Sequence, residues 1–177
     1  MAFLDSIRSI FGPSQQTRED VVVPAPATIY SIKPLTETQS KEVLKLNLRC
    51  FKNGENYTKY TFAYLFNEPR SLSYQAATPK GEMAGFAFVL LNDDGTAHLT
   101  TIGVSPEHRR RGIATKLLAH LDDVLRVKGV STIILELRVS NTGAKNLYKD
   151  AGYSLVNRIT KYYSDGEDCF LMVKSLV

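Results

Sequence analysis

The strongest chemical signal in the chain is the run Ser105-Pro106-Glu107-His108-Arg109-Arg110-Arg111-Gly112-Ile113-Ala114-Thr115. Arg109, Gly112 and Ala114 make an R-x-x-G-x-A spacing between a predicted strand and a predicted helix. The first turn of a helix leaves N–H groups without partners and carries the positive end of the helix dipole, so it attracts anions. Small residues at 112 and 114 let the backbone approach a phosphate closely. Arg109, Arg110 and Arg111 add positive charge. A solvated basic turn that only caps a helix has the same composition. A nucleic-acid patch would call for interleaved aromatic residues, and the run has none. The strand–loop–helix placement with small residues in register favours binding of a diphosphate.

Three further groups of residues have chemical potential. Glu136 is a carboxylate in the apolar segment Ser131–Val139. Strand alternation puts Ile133, Leu135, Leu137 and Val139 on one face and Ile134, Glu136 and Arg138 on the other. Glu136 is then either a working carboxylate or the partner of Arg138 in a surface ion pair. Tyr148 falls on the apolar side of a predicted helix, where a tyrosine is ordinarily a core residue with a satisfied hydroxyl. Glu55, Tyr57 and Tyr163 sit in loops or turns and Tyr162 at a strand end, and on the residues alone a Tyr-Tyr pair there reads first as cross-strand packing. Cys50 and Cys169 lie in no recognisable nucleophile motif and read as small buried hydrophobes.

The elements that must position these groups follow from periodicity. Alternation predicts strands at 28–32, 72–77, 83–91, 97–104 and 131–139, with closing strands near 153–162 and 168–175. Asn92-Asp93-Asp94-Gly95 predicts a hairpin turn. Val43, Leu44, Leu46 and Leu48 predict a helix over 38–48, and Tyr60 to Phe66 a short second one that Pro69 ends. Ile113, Leu117, Leu118, Leu121, Val124 and Leu125 predict a long amphipathic helix that stops at Gly129. Asn141 or Thr142 caps a helix carrying Ala144, Leu147, Tyr148 and Ala151, stopped by Gly152. The fold class is α+β: a mixed, mostly antiparallel sheet of about six or seven strands flanked by about four helices.

Composition narrows the function classes. At 177 residues, the length suits one domain. Hydrophobic residues at 44% and charged residues at 23% exclude wholesale disorder. No apolar run reaches the roughly 20 residues that span a bilayer. Two distant cysteines exclude a disulfide framework and fit a reducing, cytoplasmic setting. His98, His108 and His120 lack the spacing of a zinc hydrolase, and no metal is expected. The net charge of +4 suits an anionic ligand without requiring nucleic acid. Residues 1–27 read as a separate unit. Phe3, Leu4, Ile7, Ile10 and Phe11 form one face of a short helix that docks on a partner or a membrane surface, or else packs on its own domain or is an inert extension. A Pro-containing linker follows, and the domain occupies residues 28–177.

The phosphate run resembles motif A of the GNAT acetyltransferases. Leu135-Glu136-Leu137-Arg138-Val139-Ser140-Asn141, with Ala144, Asn146, Leu147, Tyr148 and Ala151-Gly152-Tyr153, resembles their motif B. Lys161-Tyr162-Tyr163-Ser164-Asp165-Gly166-Glu167-Asp168 is similar to the closing hairpin of the RimI-type protein N-terminal acetyltransferases. Asn47-Leu48-Arg49-Cys50 and Gly54-Glu55-Asn56-Tyr57 resemble their first-helix loop, with Lys52-Asn53 as an insertion. The resemblance covers about residues 28–176. It implies acetyl transfer from acetyl-CoA to the α-amine of a protein N-terminus, with lysine side chains or a small amine as the alternative. A non-catalytic module that binds acetyl-CoA is a third possibility, against which the presence of Glu136 and Tyr148 speaks. The resemblance further implies Glu136 as base and Tyr148 as acid. It places Ile102, Val104, Arg109, Arg110, Arg111, Gly112, Ile113, Ala114, Thr115, Asn141 and Tyr148 around acetyl-CoA. Glu55, Tyr57, Tyr162 and Tyr163 would line the peptide groove. Backbone N–H groups of 100–104 would polarise the carbonyl.

Overall fold

The computed structural model describes residues 22–51 and 57–177. A seven-stranded sheet runs β1 (Ser31–Pro34), β2 (Ser71–Ala77), β3 (Met83–Leu91), β4 (Thr96–Val104), β5 (Thr132–Arg138), β7 (Cys169–Ser175), β6 (Ser154–Ile159). Four α-helices accompany it: α1 (Ser40–Cys50), α2 (Lys59–Asn67), α3 (Ile113–Val127) and α4 (Thr142–Asp150). Every strand pair is antiparallel except β4 with β5. The expected α+β sheet architecture is therefore the observed one.

β3 explains the layering. Its sequence Met-Ala-Gly-Phe-Ala-Phe-Val-Leu-Leu is apolar on both faces, and all but its last residue are buried. Phe86, Phe88 and Leu90 meet α1 and α2 through Val43, Leu46, Phe62 and Leu65. Ala87 and Val89 face the other way, toward Ile113, Leu117, Leu118, Leu121 and Leu125 of α3. Burial of each large apolar side chain contributes about 1.5–3 kcal/mol, so these two clusters fix both helical layers on the sheet. Gly85 sets how close α3 comes. A Cβ there would lie 2.9 Å from Gly103 O and 3.0 Å from Ile113 Cγ2, so only glycine lets the first turn of α3 rest on β3 and β4.

The feature that creates a site is the parting of β4 from β5. Their parallel ladder holds only Thr96–Thr132, Ala97–Ile133 and His98–Ile134. β4 also slips register against β3 here: Phe88 pairs with Thr101 and Val89 with Leu99, which leaves Thr100 as the bulged residue. A bulge bends its strand and increases the local twist. β5 meanwhile stays paired with β7 through Arg138. The two middle strands thus diverge, and a cleft opens between them.

The first strand forms at Ser31–Pro34, later than alternation predicts, and Val22–Tyr30 runs without helix or strand. Pro34 is tolerated in β1 because β1 is an edge strand. The closing strands are shorter than predicted, because residues 160–168 turn around side-chain bonds rather than ladder bonds. The predicted helix at 1–11 lies outside the described residues.

Candidate active site

The cleft has a volume of about 710 Å³. Its floor is the open edge of β4 past His98. One end is the loop after β4 together with the N-terminus of α3. One wall is the end of β5 and the start of α4, and Tyr57 and Tyr163 stand at the far end.

The α3 end has the features of an anion site. Gly112 is the N-cap in a left-handed conformation with φ +71, and Arg110 also has positive φ, at 62. The first bond into the helix runs from Lys116 N–H to Gly112 O, so the N–H groups of Ile113, Ala114 and Thr115 have no helical carbonyl to bond. Arg109, Arg110, Gly112, Ile113, Ala114 and Thr115 line the cleft, as do Ile102, Val104, Asn141 and Tyr148. These residues fit a pyrophosphate with donors and charge and need no metal to do so. The Asn141 side chain accepts from Ala144 N–H at 3.1 Å and so builds the first turn of α4.

Arg111 differs from its neighbours. Its guanidinium turns away from the cleft to Ala25 O, to Pro26 O at 2.7 Å and to the Tyr30 hydroxyl at 3.2 Å. Of the three consecutive arginines, only Arg109 and Arg110 line the cleft. Arg109 also donates to Val104 O at 3.3 Å and Cys50 O at 3.4 Å, which ties the loop to the ends of β4 and α1.

Glu136 sits where the strands part. Its side chain is 8% exposed and His98 is similarly buried; His98 Nε2 lies 2.5 Å from Glu136 Oε2. A carboxylate can only accept, so the proton in this bond belongs to His98 when Glu136 is ionised. Oε1 is buried and has no hydrogen-bond partner among the described residues. The alternative, a surface ion pair between Glu136 and Arg138, does not form. Arg138 instead bonds Asp165 at 2.8 Å and Glu167 at 2.7 Å and stacks over the Tyr163 ring at 4.0 Å. His98 had no role in the sequence reading. Its meeting with Glu136 depends on the parallel register of two strands more than thirty residues apart, for which no local pattern exists.

Tyr148 is buried on α4 and lines the cleft, with its ring edge against Tyr153 at 5.5 Å. Burial pushes its phenol well above the usual tyrosine value, so it stays protonated throughout the neutral range. Tyr57 is also buried; its hydroxyl donates to Thr100 O at 2.9 Å and so buttresses the bulge. Tyr163 lines the cleft, whereas Tyr162 is buried edge-on against it at 5.1 Å and is not part of the wall. Glu55 lies outside the described residues.

The hairpin that carries Tyr163 is held by carboxylates. Burial raises the Glu167 carboxyl, but bonds from Ser140 N–H and Arg138 outweigh this and hold it below the usual range. Asp168 is lowered by the Lys161 N–H and by Arg158. A depressed carboxyl stabilises above its unfolded pKa and loses that contribution as pH falls through its folded value, so this clamp is intact at neutral pH and fails only in acid. Glu167 and Asp168 thus shape the turn.

Cys50 is the one thiol on the cleft wall among the described residues. It donates to Val104 O at 3.3 Å, and burial pushes its pKa up to about 11. A thiol so held is a poor nucleophile. Cys50→Ala is therefore expected to change kcat by less than about threefold; loss of all activity in a steady-state assay would instead indicate an acyl-cysteine route.

Comparison with known proteins gives the family. Residues 40–153 match the acetyltransferase (GNAT) family. An N-alpha-acetyltransferase of Sulfurisphaera tokodaii is 33% identical over 159 residues, which covers 83% of this chain and 93% of the relative. The [ribosomal protein bS18]-alanine N-acetyltransferase of Escherichia coli is 38% identical over 120 residues, covering 66% of this chain and 78% of the relative. The crystal structure of the ribosomal-protein-S18-alanine N-acetyltransferase from Escherichia coli superposes with a TM-score of 0.76 at 32% identity, covering 84% of this chain and 94% of that one. A phosphate-ready helix start, a diverging strand pair and a matching family pattern meet in one cleft, and the chain belongs to the GNAT acetyltransferases as an acetyl-CoA-dependent N-acetyltransferase.

Proposed function

We propose that this protein acetylates the α-amino group of a protein N-terminus by direct attack, with Glu136 as proton acceptor and Tyr148 as proton donor. The observation that carries this reading is Glu136 Oε1. A buried polar atom without a partner costs about 1–3 kcal/mol, and native folds keep few of them. Here it belongs to a carboxylate at the mouth of the strand divergence, held from behind by His98. An arriving amine satisfies it.

Bound acetyl-CoA supplies the acyl carbon and a thiolate leaving group. The N–H groups of Ile113, Ala114 and Thr115, with Arg109 and Arg110, hold the pyrophosphate. The carbonyls of Thr100 and Val104 are taken from the open edge of β4 by Tyr57, Arg109 and Cys50. The two-residue period of a strand turns the N–H of Ile102 to the same edge, where it is placed to polarise the acyl oxygen. The amine nitrogen forms the C–N bond as the C–S bond breaks. Its surplus proton passes to Glu136, and the Tyr148 hydroxyl donates a hydrogen bond to the sulfur as it leaves as thiolate. Tyr57 and Tyr163 flank the peptide end.

Protonation favours the α-amine. At neutral pH about a tenth of α-amines are already neutral, and a lysine starts about 3–4 kcal/mol behind. One buried carboxylate suffices for the first and leaves the second slow. Relatives named N-alpha-acetyltransferase and bS18-alanine N-acetyltransferase support the same substrate class. Thiol release from acetyl-CoA tests it with two peptides, one having a free N-terminus and no lysine, the other a blocked N-terminus and one lysine. Turnover on the first alone is expected. Turnover on the second alone would make this a lysine enzyme.

A further inference from the structure

Residues Val22–Tyr30 form no helix or strand, yet they are bonded along the loop that precedes α3. Ala25 N–H donates to Glu107 O at 3.0 Å. The Arg111 guanidinium reaches the carbonyls of Ala25 and Pro26 and the hydroxyl of Tyr30. The Tyr30 hydroxyl also lies 2.9 Å from Nδ1 of His108, whose ring meets Tyr30 edge-on at 5.7 Å and is 2% exposed. Pro24 and Pro26 confine the residues before them to extended backbone, so the two carbonyls are presented with little freedom left to lose.

The loop so gripped is the one whose shape matters. Arg110 is left-handed without being glycine, which is uncommon, and its two neighbours point to opposite sides. Arg109 turns into the cleft and Arg111 turns out to the Val22–Tyr30 segment. A planar guanidinium can span two carbonyls and a hydroxyl at once, and a lysine ammonium cannot reproduce that fork.

We propose that Val22–Tyr30 is a strap that holds the 105–112 loop in its CoA-binding conformation, with Arg111 and Tyr30 as positioning residues that never touch CoA. This rests on the reading of 109–115 as the pyrophosphate site. Arg111 then contributes to CoA affinity through the strap and not through its charge.

The test is titration calorimetry of the full chain with CoA, together with amide exchange over 105–112. Tyr30→Ala and Arg111→Ala are each expected to weaken CoA binding by about three- to tenfold and to speed exchange in the loop before CoA is added. The double variant is expected to be no weaker than the weaker single, because both cut the same link. Arg111→Lys is expected to behave like Arg111→Ala. Retained affinity in Arg111→Lys, or unchanged affinity in Tyr30→Ala beside a loss in Arg111→Ala, would make Arg111 a direct phosphate ligand and overturn the strap. Tyr30→Phe, which keeps the ring, covers the case in which Tyr30→Ala does not fold; it is expected to weaken binding about twofold with the same faster exchange, and unchanged exchange would count against the strap. Ala114→Glu separates the two levels of the argument. It is expected to abolish CoA binding, and if binding survives, the pyrophosphate site itself is misplaced.

Discussion

Glu136→Gln is expected to lower kcat on a free N-terminal peptide by about a hundredfold at pH 7, with CoA affinity unchanged within about twofold. General bases contribute about 10²–10⁴-fold. The low end applies because an α-amine, with pKa about 7.7–8.0, loses its own proton readily. Glutamine keeps the shape of the side chain and still accepts from His98 Nε2, so the cleft stays intact. The pH profile distinguishes the role. If Glu136 takes the amine proton, the variant recovers part of its deficit as pH rises past 8, because the substrate then arrives neutral. If Glu136 only shapes the site, the deficit is the same at every pH.

Tyr148→Phe is expected to cost about ten- to a hundredfold in kcat, less than the Glu136 change. A thiolate whose thiol has pKa near 8.5 departs without full protonation. Burial pushes the Tyr148 phenol far above that, so complete transfer is uphill and its help comes as a hydrogen bond to the sulfur as charge develops there. The sign for pH follows. A raised phenol keeps its proton across the assay range, so the loss is constant between about pH 6 and 9 and no falling limb appears in the wild type. A loss confined to high pH would mean that Tyr148 titrates in the working range and is less buried than its place on α4 requires. Measurement of kcat for both proteins at four or five pH values decides this.

Much of the scaffold was legible because local period dictates it. The β3–β4 hairpin follows from Asn92-Asp93-Asp94-Gly95 between two apolar runs, and α3 from its apolar stripe ending at Gly129. The alternation through β5 also placed Glu136 and Arg138 on the face away from Leu135 and Leu137, as observed. What period cannot encode is where two distant strands stop pairing. The parting after His98, the bulge at Thr100 and the His98–Glu136 contact all depend on how α3 returns the chain beside β4. The arginine run was legible as charge but not as geometry. Arg109, Arg110 and Arg111 look equivalent in sequence, and the left-handed turn at Arg110 separates their directions. Tyr162 and Tyr163 looked like a matched pair, yet only Tyr163 reaches the cleft, because the hairpin between β6 and β7 turns tightly around Arg138, Glu167 and Asp168.

The most direct measurement offers the enzyme one peptide that carries both a free α-amine and an internal lysine. After a few per cent turnover at pH 7, fragmentation mass spectrometry locates the acetyl group. The α-nitrogen is predicted to hold it, with the lysine behind by about two to three orders of magnitude, as the difference in neutral amine requires. Acetyl found first on the lysine would contradict the account, since a single buried carboxylate set behind two tyrosines would then be deprotonating the harder amine.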